Sequence, residues 1–299
     1  MSHRHIHRVN NYNRAFAIGI GLNSAFVMIE AGFGVAAKSL ALIADAWHNL
    51  GDVLSLLLVW GASWLATKAA TKKRTYGYRK VTIMASLTSA ILLLVALGGI
   101  SWEAIGRLFN PGPVQGMTVI IVAAIGVVIN TITALFFVSS QKDDLNIRGA
   151  FLHMAADAAV SLGVVVAGLI ILVTGWFWID PVISIIIVAV ILVGTWSLLR
   201  ESINLAIDAV PDGIDLADIQ QYLTDLENVF QIHDLHVWPL STTEVALTVH
   251  LIINDDSCDD DLLPKLQRQL FERFGIGHST IQIETRSGDA CVLDKNECI

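Results

Sequence analysis

The 299 residues are 54% hydrophobic and only 15% charged, with a formal net charge of −8, against about 25% charged in an ordinary soluble domain. That composition excludes a wholly soluble globular protein, and the acidic balance excludes a nucleic-acid binder held by phosphate contacts. The chain reads as an integral membrane protein.

Residues 1–14, MSHRHIHRVNNYNR, form an expected cytoplasmic tail that holds His3, His5 and His7. The tail has no small-residue cleavage pattern, and the apolar run behind it is too long for a signal-peptide core, so the first helix is read as retained. Six apolar stretches of bilayer length follow, near 15–37, 41–66, 82–106, 115–138, 151–174 and 180–199. They make 15–202 a six-helix transmembrane block. From 203 to 299 Pro, Asp and Glu return and alternating strand patterns appear between helical ones, which marks a soluble domain.

Lysine and arginine set the expected orientation. With the N-terminus inside, twelve of them face the cytoplasm and two, Lys38 and Arg107, face outward. Both termini and the soluble domain are then cytoplasmic. Cys258, Cys291 and Cys298 all fall on that reducing side, where disulfides do not persist. Residues 1–202 carry a net +5 and residues 203–299 a net −13, so the soluble domain suits cations.

The second apolar stretch, ALIADAWHNLGDVLSLLLVW, places Asp45, His48 and Asp52 on one helical face. In the fifth, FLHMAADAAVSLG, His153 and Asp157 stand four apart on one face. In a six-span chain these two helices run in opposite directions, as in inverted halves around a midplane site. Two imidazoles and two carboxylates form a tetrahedral donor set for Zn²⁺, and the carboxylates neutralise the ion. Neutrality matters because an isolated charge in hydrocarbon costs at least about 2.5 kcal/mol.

A plainer reading makes these residues interhelical hydrogen-bonded pairs; the repetition of one pair on two helices favours metal. For Asp45 three roles stay open: proton carrier, access ligand or structural partner. Glu30 and Glu103 read as partners of Asn, Ser or Arg on neighbouring helices.

In the last hundred residues, PDGIDLADIQQYLTDL reads as a turn and a helix beginning near Asp215. VFQIHDLHVWPL and EVALTVHLIIN read as strands, LLPKLQRQLFERFG as a helix and HSTIQIET as a third strand. The expected order is αββαβ. His233 and His236, three apart on a strand, face opposite sides, so at most one easily joins a given site.

Together the segments SLALIADAWHNLGD, RTYGYRK, LNIRGAFLHMAADAAVSLG, HDLHVW, ALTVHL and HSTIQIE resemble the cation diffusion facilitator family of divalent-metal transporters nearly end to end. The resemblance implies six transmembrane helices and a cytoplasmic ferredoxin-like domain, working as a homodimer that exports metal from the cytosol in exchange for protons. It makes His48, Asp52, His153 and Asp157 the transport site. It also implies a cytoplasmic zinc site of His233, His250 and Glu284, with His278 as a fourth partner. Cys291 and Cys298 with His3, His5 or His7 of a neighbouring protomer would make a second cytoplasmic site, although the cysteines are more widely spaced than in the relatives that have one. The histidine tail has a second reading as a disordered basic arm. Lys80 and Arg79 are implied to hold the membrane block to the soluble domain, with Asp208 as partner; simple positive-inside anchoring is the alternative.

Imidazole donors favour Zn²⁺, with Cd²⁺ or Co²⁺ next, over oxygen-seeking Mg²⁺ and Mn²⁺. A histidine must be neutral to bind metal, which links metal release to protonation. Loop KAATKKRTYGYRK contains no His or carboxylate, so a metal site that some relatives carry there is expected to be missing. QKDDLNIR likewise lacks the histidine-rich insertion of many zinc carriers. A membrane metalloenzyme is disfavoured by the absence of an H-E-x-x-H helix and of an open fourth position, and a sensor by the absence of a signalling module. Scarce cysteine and compact loops point to a prokaryotic inner membrane.

Overall fold

The computed structural model of the chain describes residues 12–138, 145–227, 229–253 and 262–285, with the side chains at 12–20, 22, 23, 52, 55–60, 63, 136–138, 145–153 and 285 outside that description. Six long helices come first: α1 (Tyr12–Ala37), α2 (Leu40–Ala66), α3 (Val81–Phe109), α4 (Gly116–Val138), α5 (Leu145–Thr174) and α6 (Ile179–Ala206). Their interiors contain no proline. Pro181 stands in the first turn of α6, where its missing N–H has no intrahelical partner to lose.

Among the described residues, four helices are long and apolar enough to cross a membrane: Val81–Phe109, Gly116–Leu135, Met154–Thr174 and Ile179–Ala206. Val95, Val173 and Val193 on these helices are at least 70% exposed, a surface suited to hydrocarbon rather than water. Helix α5 starts at Leu145, earlier than the apolar stretch at 151, and α6 continues to Ala206 rather than 199. Hydropathy marks the section of a helix that hydrocarbon favours, whereas backbone hydrogen bonding carries on through polar turns.

The chain divides into two compact units, Met1–Leu57 with Ser89–Trp196, and Leu58–Thr88 with Ser197–Ile299. In the first, Phe26, Leu42, Leu97, Val119, Val164, Ile171 and Ile187 lie in one buried cluster. Helices α4 and α5 pack backbone to backbone: a Cβ at Gly116 would lie 3.0 Å from the Gly168 carbonyl oxygen. Small residues allow such approach where no hydrophobic force separates helix from lipid. Asp180, at the start of α6, caps the start of α2. Its Oδ1 accepts a 2.5 Å hydrogen bond from Ser39 Oγ and its Oδ2 a 2.7 Å bond from the Leu40 N–H. A carboxylate at a helix N-terminus satisfies orphan donors and meets the positive end of the dipole.

In the second unit, helix α7 (Leu216–Thr224) begins after Asp215, whose side chain accepts from the Ala217 N–H. Strands β1 (Val229–Pro239), β2 (Val245–Ile253) and β3 (Ile276–Thr285) surround helix α8 (Leu262–Phe274) in sequence. The sheet order is β1-β2-β3, antiparallel across β1 and β2 and parallel across β2 and β3. Ile219 and Leu223 of α7 and Leu266 and Leu270 of α8 pack with Leu247, Val249 and Leu251 of β2 in its core. Leu58–Thr88, the end of α2, the following loop and the start of α3, belongs to this unit.

Candidate functional site

Helices α2 and α5 bring together two of the four residues expected to share an intramembrane site. His48 Nε2 lies 3.1 Å from Asp157 Oδ1. The Asp157 side chain is 3% exposed and that of His48 18%, so the pair is largely removed from solvent. The separation is close to the roughly 3.3 Å between ligand atoms that bonds of about 2.0 Å impose around tetrahedral zinc. Asp52 and His153 stand one helical turn from His48 and Asp157 on the same two helices; their side chains lie outside the described residues.

Asp45 is fully buried one turn before His48, and its Oδ2 accepts a 2.8 Å hydrogen bond from Ser161 of α5. Glu30 of α1 is also fully buried and accepts a 3.2 Å bond from Asn49. Ser161 was not singled out by sequence reasoning; its spacing of four from Asp157 was the available signal.

In the second unit, His233, His250 and Glu284 each offer a ligand atom within 4.8 Å of the others. Strand register explains the meeting. His233 pairs with His250 across β1 and β2, and Glu284 lies two residues beyond Gln282, the parallel partner of His250. Glu284 Oε2 is 3.2 Å from His233 Nε2, and Oε1 is 3.0 Å from His250 Nδ1. Burial works to raise the Glu284 carboxyl, but hydrogen bonds from His233 and Gln282, then the two imidazole charges, hold it below its ordinary value. Two imidazoles and a carboxylate form a donor set that fits Zn²⁺.

The sheet separates His278 from this group. His278 pairs in register with Ala246 rather than His250, and its ring meets Tyr76 edge-on at 5.5 Å. Asp234 is close to the group instead. The ladder shifts between His233 and His236, and Asp234 adopts φ +52°, a left-handed conformation that Asp tolerates better than most residues. Its Oδ2 lies 3.5 Å from His250 Nε2 and its Oδ1 2.9 Å from His236 Nε2. Regular alternation along a strand gives no warning of such a shift.

Lys80 Nζ is 2.6 Å from Asp208 Oδ1, and Arg79 Nη1 is 3.0 Å from Glu244 Oε2. The expected Asp208 contact is therefore made by Lys80, and Arg79 has a different partner. His3, His5, His7, Cys291 and Cys298 lie outside the described residues.

A family model described as the cation efflux transmembrane domain matches residues 16–205, and one described as the cation efflux protein cytoplasmic domain matches 211–286. The chain is 37% identical over 284 residues to the metal cation efflux system protein CzcD of Cupriavidus metallidurans, covering 94% of this chain and 89% of that protein. It is 35% identical over 293 residues to the cadmium, cobalt and zinc/H(+)-K(+) antiporter of Bacillus subtilis, covering 96% and 93%. With the zinc transporter ZitB of Escherichia coli it shares 33% identity over 304 residues, covering 99% and 97%.

Proposed function

Because the chain belongs to the cation diffusion facilitator family of membrane metal transporters, we propose that it exports Zn²⁺ from the cytosol, with Cd²⁺ or Co²⁺ as further substrates, in exchange for protons. Members of the family are transporters rather than enzymes, and the metalloenzyme reading falls away. The observation that carries the proposal is the 3.1 Å approach of His48 to Asp157 between helices distant in sequence. His48, Asp52, His153 and Asp157 are the proposed ligands, since imidazole and carboxylate together suit zinc and leave the occupied site neutral.

Proton exchange follows from the ligands' acid-base chemistry. With an unperturbed pKa near 6.5, histidine must lose its proton to bind metal. On the side where protons are abundant, protonation of His48 or His153 competes with zinc and favours release. A site that opens alternately to each face then uses an inward proton gradient to move zinc outward. The proton antiport named for the Bacillus subtilis relative supports this coupling.

The architecture proposed around the site has α1 to α6 as six spans, with residues 1–14 as a cytoplasmic tail, 15–202 as the transport domain and 203–299 as a cytoplasmic domain. The αββαβ order and the β1-β2-β3 sheet support a ferredoxin-like domain that lacks the first strand of the βαββαβ pattern. Both termini would face the cytoplasm of a prokaryotic inner membrane, as loop lysines and arginines require. His233, His250 and Glu284 would hold a cytoplasmic zinc ion, and the cytoplasmic domain would mediate a homodimer.

The test is zinc movement into proteoliposomes under an imposed pH gradient, comparing wild type with Asp157→Ala and Zn²⁺ with Mn²⁺. Gradient-driven zinc flux lost in the variant supports the site. Flux untouched by the substitution would return His48 and Asp157 to a structural role.

A further inference from the structure

Asn130 in α4 is 1% exposed, and both its amide nitrogen and its amide oxygen are buried without a hydrogen-bond partner among the described residues. An amide taken from water with neither end bonded is destabilising, and native interiors seldom keep one without a use. Its place in the bundle suggests the use.

Helices α4 and α5 run antiparallel in a register that three glycines reveal. A Cβ at Gly116 would meet Gly168 and Leu172, one at Gly168 would meet Val119 and Ile120, and one at Gly126 would lie 3.2 Å from Ser161 Oγ. Every advance along α4 is matched by an equal step back along α5. Asn130, one turn beyond Gly126, therefore comes level with Asp157, one turn before Ser161, and on the same helical face. Across that space Ser161 bonds Asp45 and Asp157 meets His48. The unbonded amide thus stands at the height of the proposed zinc ligands, on a third helix.

We propose that Asn130 belongs to the transport site and turns its amide oxygen to a water on the cation held by His48 and Asp157 while the other two tetrahedral positions are not yet both taken by protein ligands. This rests on the reading of those two residues as cation ligands. A neutral oxygen is the suitable addition, because the carboxylates of Asp52 and Asp157 already balance a divalent ion and Asp45 is buried one turn away.

The deciding measurement is the zinc concentration for half-maximal flux in proteoliposomes made from full-length wild type, Asn130→Ala, Asn130→Leu and Asn130→Gln. Melting of each protein in detergent is followed with and without Zn²⁺. Alanine and leucine should raise the half-saturating zinc about tenfold or more, as loss of a supporting group at a metal site does, and shrink the zinc-induced rise in melting temperature. Without metal, Asn130→Leu should melt no lower than wild type, since an unbonded polar group has been replaced by an apolar one. Asn130→Gln, which keeps a neutral amide oxygen, should recover zinc affinity relative to alanine; that comparison also serves if the leucine variant does not fold. An unchanged half-saturating concentration in Asn130→Ala overturns the assignment, as does a lower metal-free melting temperature with an unaltered zinc response. His48→Ala and Asp157→Ala run alongside: if they also leave zinc flux intact, it is the premise that has failed, and the inference goes with it.

Discussion

Ser161 of α5 donates a 2.8 Å hydrogen bond to Asp45 of α2, and both side chains are fully buried. One turn further along α2 and one turn back along α5, His48 meets Asp157. Two successive polar contacts therefore fix the register of the helices expected to carry the cargo. Ser161→Ala leaves an Asp45 oxygen without its donor, and the expected loss of stability is about 1–3 kcal/mol. Thermal unfolding in detergent without metal checks it; an unchanged midpoint would mean that the bond does not hold the two helices.

Gly126 is required by close approach. A Cβ there would lie 2.8 Å from the Phe26 ring, with Ser161 Oγ at 3.2 Å. Gly126→Val should destabilise by about 1–3 kcal/mol, the usual cost of overpacking a filled interior. Gly163 has open space where its Cβ would go, so Gly163→Ala is the matched control, and the two variants should differ clearly in melting temperature.

The long helices and the approach of His48 to Asp157 were legible in the sequence because period and spacing carry them directly. Asp215 announced the start of α7 by its capping chemistry. The cytoplasmic cluster was legible only in part. His233 and His250 sit on neighbouring strands, but the place of His278 depends on the parallel register of β2 and β3, which spacing along the chain does not encode. Asp234 enters through its own left-handed backbone at a ladder shift, which regular alternation does not foresee. Nothing in the spacing of α4 sets Asn130 apart from any other polar residue in an apolar helix.

The half-exposed Lys80–Asp208 and Arg79–Glu244 pairs are expected to contribute little despite good geometry. A double-mutant cycle with Lys80→Ala and Asp208→Ala should return a coupling of about 0.2–1 kcal/mol, lower in high salt. A coupling of several kcal/mol in chemical unfolding would indicate a far drier contact than the exposure describes.

Zinc should stabilise the protein at two places. A ligand at about 100 times its dissociation constant adds roughly 2.7 kcal/mol per site. His250→Ala and Asp157→Ala should each remove part of the zinc-induced rise in melting temperature. The double variant should remove close to the sum, because the residues lie in different compact units. Full retention of the rise in His250→Ala would show that the cytoplasmic cluster is not a zinc site.

Glu284 gives the cytoplasmic cluster a pH dependence whose sign is fixed by its environment. Its carboxyl is held below the ordinary value of 4.5: burial opposes the shift, and the bonds from His233 and Gln282 outweigh it. A carboxyl lowered in the folded state adds stability that is complete above the unfolded value and disappears as pH falls through the folded one. Wild type should therefore lose stability more steeply than Glu284→Gln as the pH drops below about 4.5, with the two curves converging at the acid end. Unfolding midpoints of both proteins, measured in denaturant without metal across that range, decide the matter. Parallel curves would mean that the histidines do not hold the Glu284 proton equilibrium, and that the cluster is looser in solution than the 3.0 and 3.2 Å contacts describe.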